Sequence, residues 1–196
     1  MDKEIINLPD ASVEYYPEFF EAQKADEFLD ELLFSLEWKQ DKIKMFGKEI
    51  FQPRLTSFYG EASRDYTYSG LKLSPLPFTQ TLEKIKLKCE KYSGTRFNAC
   101  LANLYRDGSD SMGWHSDDEK ELGSQPLIAS VSFGGERVFH LKHKTNPTAR
   151  HKIRLQHGSL LIMKGTTQQF WKHQLPKTKK SVAPRINLTF RKIYQE

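Results

Sequence analysis

His115-Ser116-Asp117 puts an imidazole and a carboxylate two residues apart. In an extended strand, residues i and i+2 project from the same face, so the pair would point one way together. Nitrogen plus hard oxygen suits a first-row divalent metal, and two histidines with one carboxylate and open positions suit non-haem Fe(II). A third ligand must come from elsewhere in the chain. His140, His143, His151, His157 and His173 are the candidates. His173 stands apart because it follows Phe170-Trp171 in Trp171-Lys172-His173-Gln174-Leu175-Pro176, a short way before an arginine-rich strand.

That strand is Arg185-Ile186-Asn187-Leu188-Thr189-Phe190-Arg191. Period two sets Arg185, Asn187, Thr189 and Arg191 on one face and Ile186, Leu188 and Phe190 on the other. The polar face either meets water or offers a row of fixed donors to a small dianion, since guanidinium forks bind carboxylates bidentately.

The elements that must hold these residues are short strands. Phe97–Arg106, Leu127–Phe133 (stopped by Gly134-Gly135), Arg137–Leu141, Ile153–Leu155, Ser159–Met163 and Ala183–Ile193 are brief, closely spaced and divided by turns. This pattern argues for an all-β sandwich or barrel rather than βαβ units. Before them, Tyr16–Trp38 and Phe78–Tyr92 carry apolar residues at helical spacing, with Pro17 at the first start and Gly94 after the second end. Lys42–Phe51 reads as a hairpin turning at Gly47. Phe46 beside that glycine either folds back onto the core or serves as an apolar wedge for a base step. In Pro53–Gly70, Phe58, Tyr59, Tyr66 and Tyr68 are interleaved with Arg54 and Arg64, which suits base stacking over phosphate contacts as well as it suits a strand pair with buried rings.

The 196 residues predict one domain: helices and hairpins over 1–95 as an N-terminal α/β layer, then a β core over 96–196. Thirty Lys and Arg against 25 Asp and Glu give a net charge of +5, which permits attraction to phosphate without requiring it. The two cysteines supply no disulfide framework. No apolar run reaches bilayer length, and no basic-then-apolar leader opens the chain. These features predict a protein without membrane association, cytoplasmic in a bacterium or nuclear in a eukaryote.

In order along the chain, Asn103-Leu104-Tyr105, His115-Ser116-Asp117-Asp118-Glu119, Ile128 to Gly134, His157-Gly158-Ser159-Leu160, His173 and the Arg185–Arg191 ending resemble the AlkB family of Fe(II)- and 2-oxoglutarate-dependent dioxygenases. The likeness covers about Phe46 to Ile193. It implies a mainly β protein with flanking helices, built on a double-stranded β-helix (a cupin-like jelly roll). It assigns Fe(II) to His115, Asp117 and His173. Arg185 and Arg191 would take the carboxylates of 2-oxoglutarate, helped by Asn103, Tyr105, Asn187 and Thr189, and Asp118 would meet the target base. Within the family the chain is similar to the branch that repairs duplex DNA. Phe46-Gly47-Lys48 matches its intercalating finger and Tyr66-Thr67-Tyr68-Ser69-Gly70 its base-stacking lid. Lys177, Lys179 and Lys180 match its basic loop, interrupted here by Thr178. The implied activity is oxidative demethylation of 1-methyladenine and 3-methylcytosine, with O2 consumed and formaldehyde, succinate and CO2 released. The implied partner is alkylated double-stranded DNA with a flipped base, bound by a monomer. The competing expectations are the same chemistry on RNA or protein, or a nucleic-acid-binding module without catalysis.

Overall fold

A computed structural model describes residues 2–45, 48–61, 66–68 and 71–194. Its elements in chain order are β1 (Glu4–Ile6), β2 (Ser12–Tyr16), α1 (Ala22–Ser35), β3 (Lys42–Met45), β4 (Lys48–Phe51), β5 (Leu55–Gly60), β6 (Tyr66–Tyr68), β7 (Leu71–Leu73), α2 (Gln80–Ser93), β8 (Ala99–Tyr105) and β9 (Met112–His115). A 3-10 turn at Lys120–Leu122 leads to β10 (Ile128–Gly134), β11 (Arg137–His143), β12 (Arg150–Leu155), β13 (Ser159–Lys164), α3 (Thr167–Phe170), β14 (Trp171–Leu175) and β15 (Arg185–Arg191).

Two antiparallel sheets face each other. The larger runs β1-β2-β13-β10-β15-β8-β5 and the smaller β12-β11-β14-β9. From β8 onward the chain passes back and forth between them, with β8, β10, β13 and β15 in the large sheet and β9, β11, β12 and β14 in the small one. That winding is the double-stranded β-helix expected from the resemblance.

Period-two alternation builds two cores on either side of the large sheet. Ile186, Leu188 and Phe190 of β15 join Ala129, Val131 and Phe133 of β10 and Leu160 and Ile162 of β13 against the helices. Leu101, Ile128, Leu161 and Met163 face the other way, toward Leu141, Ile153, Leu155 and Trp171 of the small sheet and α3–β14 turn. β8 and β15, paired in register Asn103↔Asn187, are buried along their whole length. The polar face of β15 therefore looks into the space between the sheets and not into water.

The helix α2 matches its predicted span. Thr79 caps it, its hydroxyl accepting from the Leu82 N–H at 3.2 Å, and Gly94 closes it in the left-handed region at φ 68°. Helix α1 begins later than expected. The predicted start at Tyr16 falls in β2, which pairs with β13 in register Tyr16↔Leu160. The aromatic run Tyr15, Tyr16, Phe19, Phe20 fits helical spacing, but an open sheet edge at β13 captures Ser12–Tyr16 as a strand first. The 1–95 region is thus more than a layer of helices and hairpins: β1, β2 and β5 extend both edges of the large sheet.

The Gly134-Gly135 stop is sterically required. A Cβ on Gly134 would lie 2.3 Å from the Pro184 carbonyl oxygen, and one on Gly135 would lie 2.2 Å from that of Ala183. Only glycines let the β10–β11 connection pass the segment entering β15 this closely.

Candidate metal and carboxylate site

The site lies between the sheets and draws on both. His173 sits mid-strand on β14, opposite His115 at the end of β9. Alternation turns His173 inward with Trp171 and Leu175. Asp117 is not in a strand with His115, as the two-residue spacing had suggested: β9 ends at His115, and Asp117 lies in the segment beyond. Other bonds aim its carboxylate. Its backbone N–H donates to Oε1 of the buried Gln168 at 2.9 Å, and Arg191 Nη2 donates to Oδ2 at 3.0 Å. The neighbouring Ser116 hydroxyl donates to the Trp171 carbonyl at 2.8 Å.

Nε2 of His115 and Nε2 of His173 are 3.0 Å apart, and Asp117 Oδ1 is 3.8 Å from His115 Nε2. One ligand atom from each of the three residues lies within 4.8 Å of the others, and this is the one such group among the described residues. Two nitrogens bound at right angles about 2.1 Å from a metal would be separated by about 3 Å, so the observed imidazole spacing fits a shared ion. Asp117 Oδ1 is buried without a hydrogen-bond partner, which leaves an anionic lone pair aimed into the same space.

Protonation favours the same use. His115 Nδ1–H donates to the Gly113 carbonyl at 2.8 Å, leaving Nε2 as the free lone pair of the neutral ring. Burial lowers the pKa of His115 against the opposing pull of Asp117. Burial, then the facing His115, pushes His173 down to about 3. Burial alone would raise Asp117, but Arg191, His173 and His115 together hold it down to about 2. Neutral imidazoles beside an ionised carboxylate are the forms that bind a divalent metal.

Deeper in the same pocket lies Arg185, fully enclosed. Its Nη2 donates to Ser132 Oγ at 2.9 Å, its guanidinium carbon is 5.3 Å from the centre of the Tyr105 ring, and Nε has no partner. Burial presses its pKa down to about 10, with Tyr105 opposing and Arg137 adding to the effect. No carboxylate pairs with it among the described residues. A buried guanidinium without a counter-charge is costly, and a small carboxylate entering the pocket would relieve that cost. The arrangement fits an anion that reaches from Arg185 toward the histidines.

The remaining predicted cosubstrate residues line the pocket, but several are already engaged. Asn187 Nδ2 donates to Ser130 Oγ at 2.8 Å and to the Val131 carbonyl at 3.0 Å, and its Oδ1 accepts from Thr189 Oγ1 at 3.1 Å. Asn103 Oδ1 accepts from Arg54 Nε at 2.7 Å. Arg191 spends one nitrogen on Asp117, so it serves the metal-ligand set directly.

Asp118, next to Asp117 in the chain, is exposed and bonded to Lys144 Nζ at 3.0 Å. Of the finger, Phe46 and Gly47 lie outside the described residues, and Lys48 opens β4, which pairs with β3. Of the lid, Tyr66–Tyr68 form β6, paired with β7, while Ser69 and Gly70 lie outside the described residues. The basic loop is anchored: the Thr178 N–H donates to the Gly108 carbonyl at 2.8 Å, and buried Arg137 donates to the Pro176 carbonyl at 2.6 Å and to the Asp107 and Asp110 carbonyls.

Of the two readings of Arg54, Phe58 and Tyr59, the structure shows the strand with buried rings and not the stacking and phosphate role. All three are buried, the rings in the two cores and Arg54 against Asn103. The other histidines are elsewhere. His157 Nδ1 accepts the Gly134 N–H at 2.7 Å, and buried His143 stacks on Phe170. Gln168, Ser130 and Ser132 support the site without having been foreseen. Nothing in a lone glutamine or a Ser-x-Ser strand distinguishes them before the fold brings them near.

Comparisons with known proteins agree with this geometry. The model of the 2OG-Fe(II) oxygenase superfamily matches residues 12–191. The chain is 43% identical over 190 residues to the human alpha-ketoglutarate-dependent dioxygenase alkB homolog 3, covering 92% of this chain and 66% of the relative. It is also 43% identical over 188 residues to the human DNA oxidative demethylase ALKBH2, covering 91% and 72%. It therefore spans about two thirds of the length of the curated relatives it matches. Among solved structures, that of OsALKBH1 superposes with a TM-score of 0.67 at 17% identity, covering 97% of this chain and 100% of that one, a likeness of fold.

Proposed function

This chain belongs to the 2OG-Fe(II) oxygenase superfamily, and from that membership we propose that it oxidatively demethylates N-alkylated bases in DNA. The observation that carries the reading is the joining of two features in one pocket: a His-Asp-His cluster of metal-binding geometry and a buried arginine with no acidic partner among the described residues. His115, Asp117 and His173 would hold Fe(II), and Arg185 would hold a carboxylate of 2-oxoglutarate. Together with O2, iron and cosubstrate supply the oxidation of an N-methyl group, whose hydroxylated product releases formaldehyde and restores the base. DNA as the substrate rests on the relatives, one of which is named a DNA oxidative demethylase.

The chain's own residues do the positioning. Gln168 and Arg191 fix the Asp117 carboxylate. The neutral state of both imidazoles keeps their lone pairs free for the ion. We assign contact with the base to Asp118, which is exposed beside the ligand Asp117 and bonded to Lys144. A duplex base must leave its stack to reach this depth. We assign that task to Phe46–Lys48 and the stacking of the extruded base to Tyr66–Gly70. 1-Methyladenine and 3-methylcytosine are the expected lesions.

The test is turnover with Fe(II) and 2-oxoglutarate on one methylated sequence presented as single strand, duplex and RNA, following formaldehyde and the restored base by mass spectrometry. Repair of DNA that disappears in His115→Ala is the expected result. Phe46→Ala should spare the single strand and weaken duplex repair. Turnover confined to RNA, or succinate formed without base repair on any strand, would refute the DNA reading.

A further inference from the structure

The small sheet turns His173 inward, and its outer face is cationic. Strands β9, β11, β12 and β14 contain six Lys and Arg residues and no carboxylate. Arg137 points inward, and alternation puts the other five, Lys142, Arg150, Lys152, Arg154 and Lys172, on the outer face. The register sets Arg150 opposite Lys142 and Lys142 opposite Lys172, three cations in one row across three strands. Like charges placed directly opposite on a sheet oppose folding. Among the described residues, the acid paired with one of these five cations is Glu136 at the margin, 3.0 Å from Arg154. A second row sets Lys152 opposite His140 and His140 opposite Gln174, again without an acid.

Trp114 is the one Trp, Tyr or Phe of these strands on this face. Trp114 precedes His115 on β9 and so projects to the opposite side from that imidazole. It is half-buried, and Lys142 Nζ reaches across β14 to lie 4.4 Å from the centre of its ring. The face continues into the basic loop through a cavity lined by Val138, His140, Arg154, Lys177 and Lys180.

We propose that this outer face is a second nucleic-acid surface, one that binds the single strand flanking the target nucleotide. A base stacks on Trp114, and the sugar-phosphate chain crosses the Arg150–Lys142–Lys172 row. Aromatic platforms set in positive grooves hold single strands in this way. Lys142 exchanges its place over the ring for a phosphate as the base settles on the indole. The inference rests on the nucleic-acid reading of the active site only in presuming the kind of polymer brought to the protein. An acidic protein would use the cations and leave the indole without a role.

The experiment is binding of unmethylated oligothymidylate to the full chain, read by tryptophan fluorescence and by titration at several salt concentrations. Trp171 is buried and Trp38 packs with the helical core, so Trp114 should dominate the quench. Trp114→Leu should abolish the quench and weaken binding about five-fold or more. The double variant R150Q/K172Q should lower the slope of log K against log salt by about 1.4, about 0.7 for each phosphate that is no longer neutralised. The same double variant should unfold at an equal or higher temperature, because it relieves like-charge repulsion. A merely structural role would not give weaker binding together with greater stability. Turnover of a methylated trinucleotide, too short to span the face, should be unchanged in both variants.

Oligothymidylate binding at full strength in both variants would overturn this inference while leaving the demethylase reading intact. Equal competition by polyglutamate, with Trp114→Leu binding as the wild type does, would overturn the single-strand assignment. Absence of trinucleotide turnover in the wild type would count against the demethylase reading alone. Should Trp114→Leu fail to fold, the double variant still decides the matter.

Discussion

Replacing Arg185 with methionine should have opposite effects on stability and on cosubstrate binding. Methionine fills most of the volume with an apolar, flexible chain. In the free protein, the change removes a fully buried cation that among the described residues has one hydrogen bond, to Ser132 at 2.9 Å, and no carboxylate. Losing that bond costs about 1 kcal/mol. Removing the desolvation penalty of the guanidinium returns several kcal/mol, on the order of the 1–4 kcal/mol seen when buried ions give way to packed apolar groups. The net is a gain of about 1–2 kcal/mol, or roughly 2–8 °C in the midpoint for a domain of this size. With 2-oxoglutarate and a divalent metal the sign reverses. The wild type should gain about 2.7 kcal/mol at a hundredfold excess over the dissociation constant. The variant, without a charge-assisted pair worth about 2–5 kcal/mol on truncation, should show almost none of that gain. Thermal unfolding followed by fluorescence, with Mn(II) in place of iron and 2-oxoglutarate varied, reads both effects. A variant that melts well below the wild type without ligand, yet keeps the full 2-oxoglutarate shift, would refute the idea that Arg185 waits for an anion.

Three further outcomes follow from the same network of bonds and close packing. Gln168→Leu removes the acceptor for the Asp117 N–H and should weaken Co(II) binding about 10- to 100-fold by absorption titration, with Gln168→Asn recovering part of the loss. Glu14 ties β2 to β13 through Lys164 at 2.6 Å, and although burial raises its pKa, Lys164 and Tyr16 bring it below the ordinary carboxylate value. A depressed carboxyl contributes stability above its unfolded pKa and loses it as pH falls through the folded one; acid unfolding curves below about pH 4.5 should therefore flatten in Glu14→Gln. Gly134→Ala, which forces a Cβ onto the Pro184 carbonyl in the left-handed region, should destabilise the chain by more than about 1 kcal/mol in a denaturant titration.

Much of this was legible in the sequence because strands encode their faces in steps of two. Arg-x-Asn-x-Thr-x-Arg against Ile-x-Leu-x-Phe declares two environments on β15, and the brevity of the later strands declares a sandwich or barrel. The sequence leaves undecided which environment is wet. A polar row reads the same facing solvent as facing a pocket, and only the seven-stranded sheet, with the small sheet stacked on it, settles that Arg185 is enclosed. Asp117 shows a different limit. The His-x-Asp spacing suggested one strand, yet β9 ends first, and the carboxylate is aimed by Gln168 and Arg191, residues 51 and 74 positions away. Long-range hydrogen bonds of this kind leave no local trace. Tyr16 shows a third limit, since the same aromatic run fits a helix or a strand until an open sheet edge selects one.

The small sheet links these points. His173 and Lys172 are neighbours on β14, one turned to the metal site and the other to the cationic outer face. His115 and Trp114 stand in the same relation on β9. A slip of one residue in the pairing of either strand would exchange them, burying a lysine or an indole where an imidazole belongs. The register is fixed from within: Trp171 packs into the inner core, Leu175 is buried against the pocket, and the Trp171 indole donates to the Pro9 carbonyl at 2.8 Å, tying the start of β14 to the N-terminal segment. Trp171→Ala removes the largest fully buried side chain among the described residues and should cost about 3–5 kcal/mol of stability. It should also loosen both faces together, lowering Co(II) affinity and oligothymidylate affinity in the same variant. Loss of one affinity with full retention of the other would show that the two faces are not held by a common register.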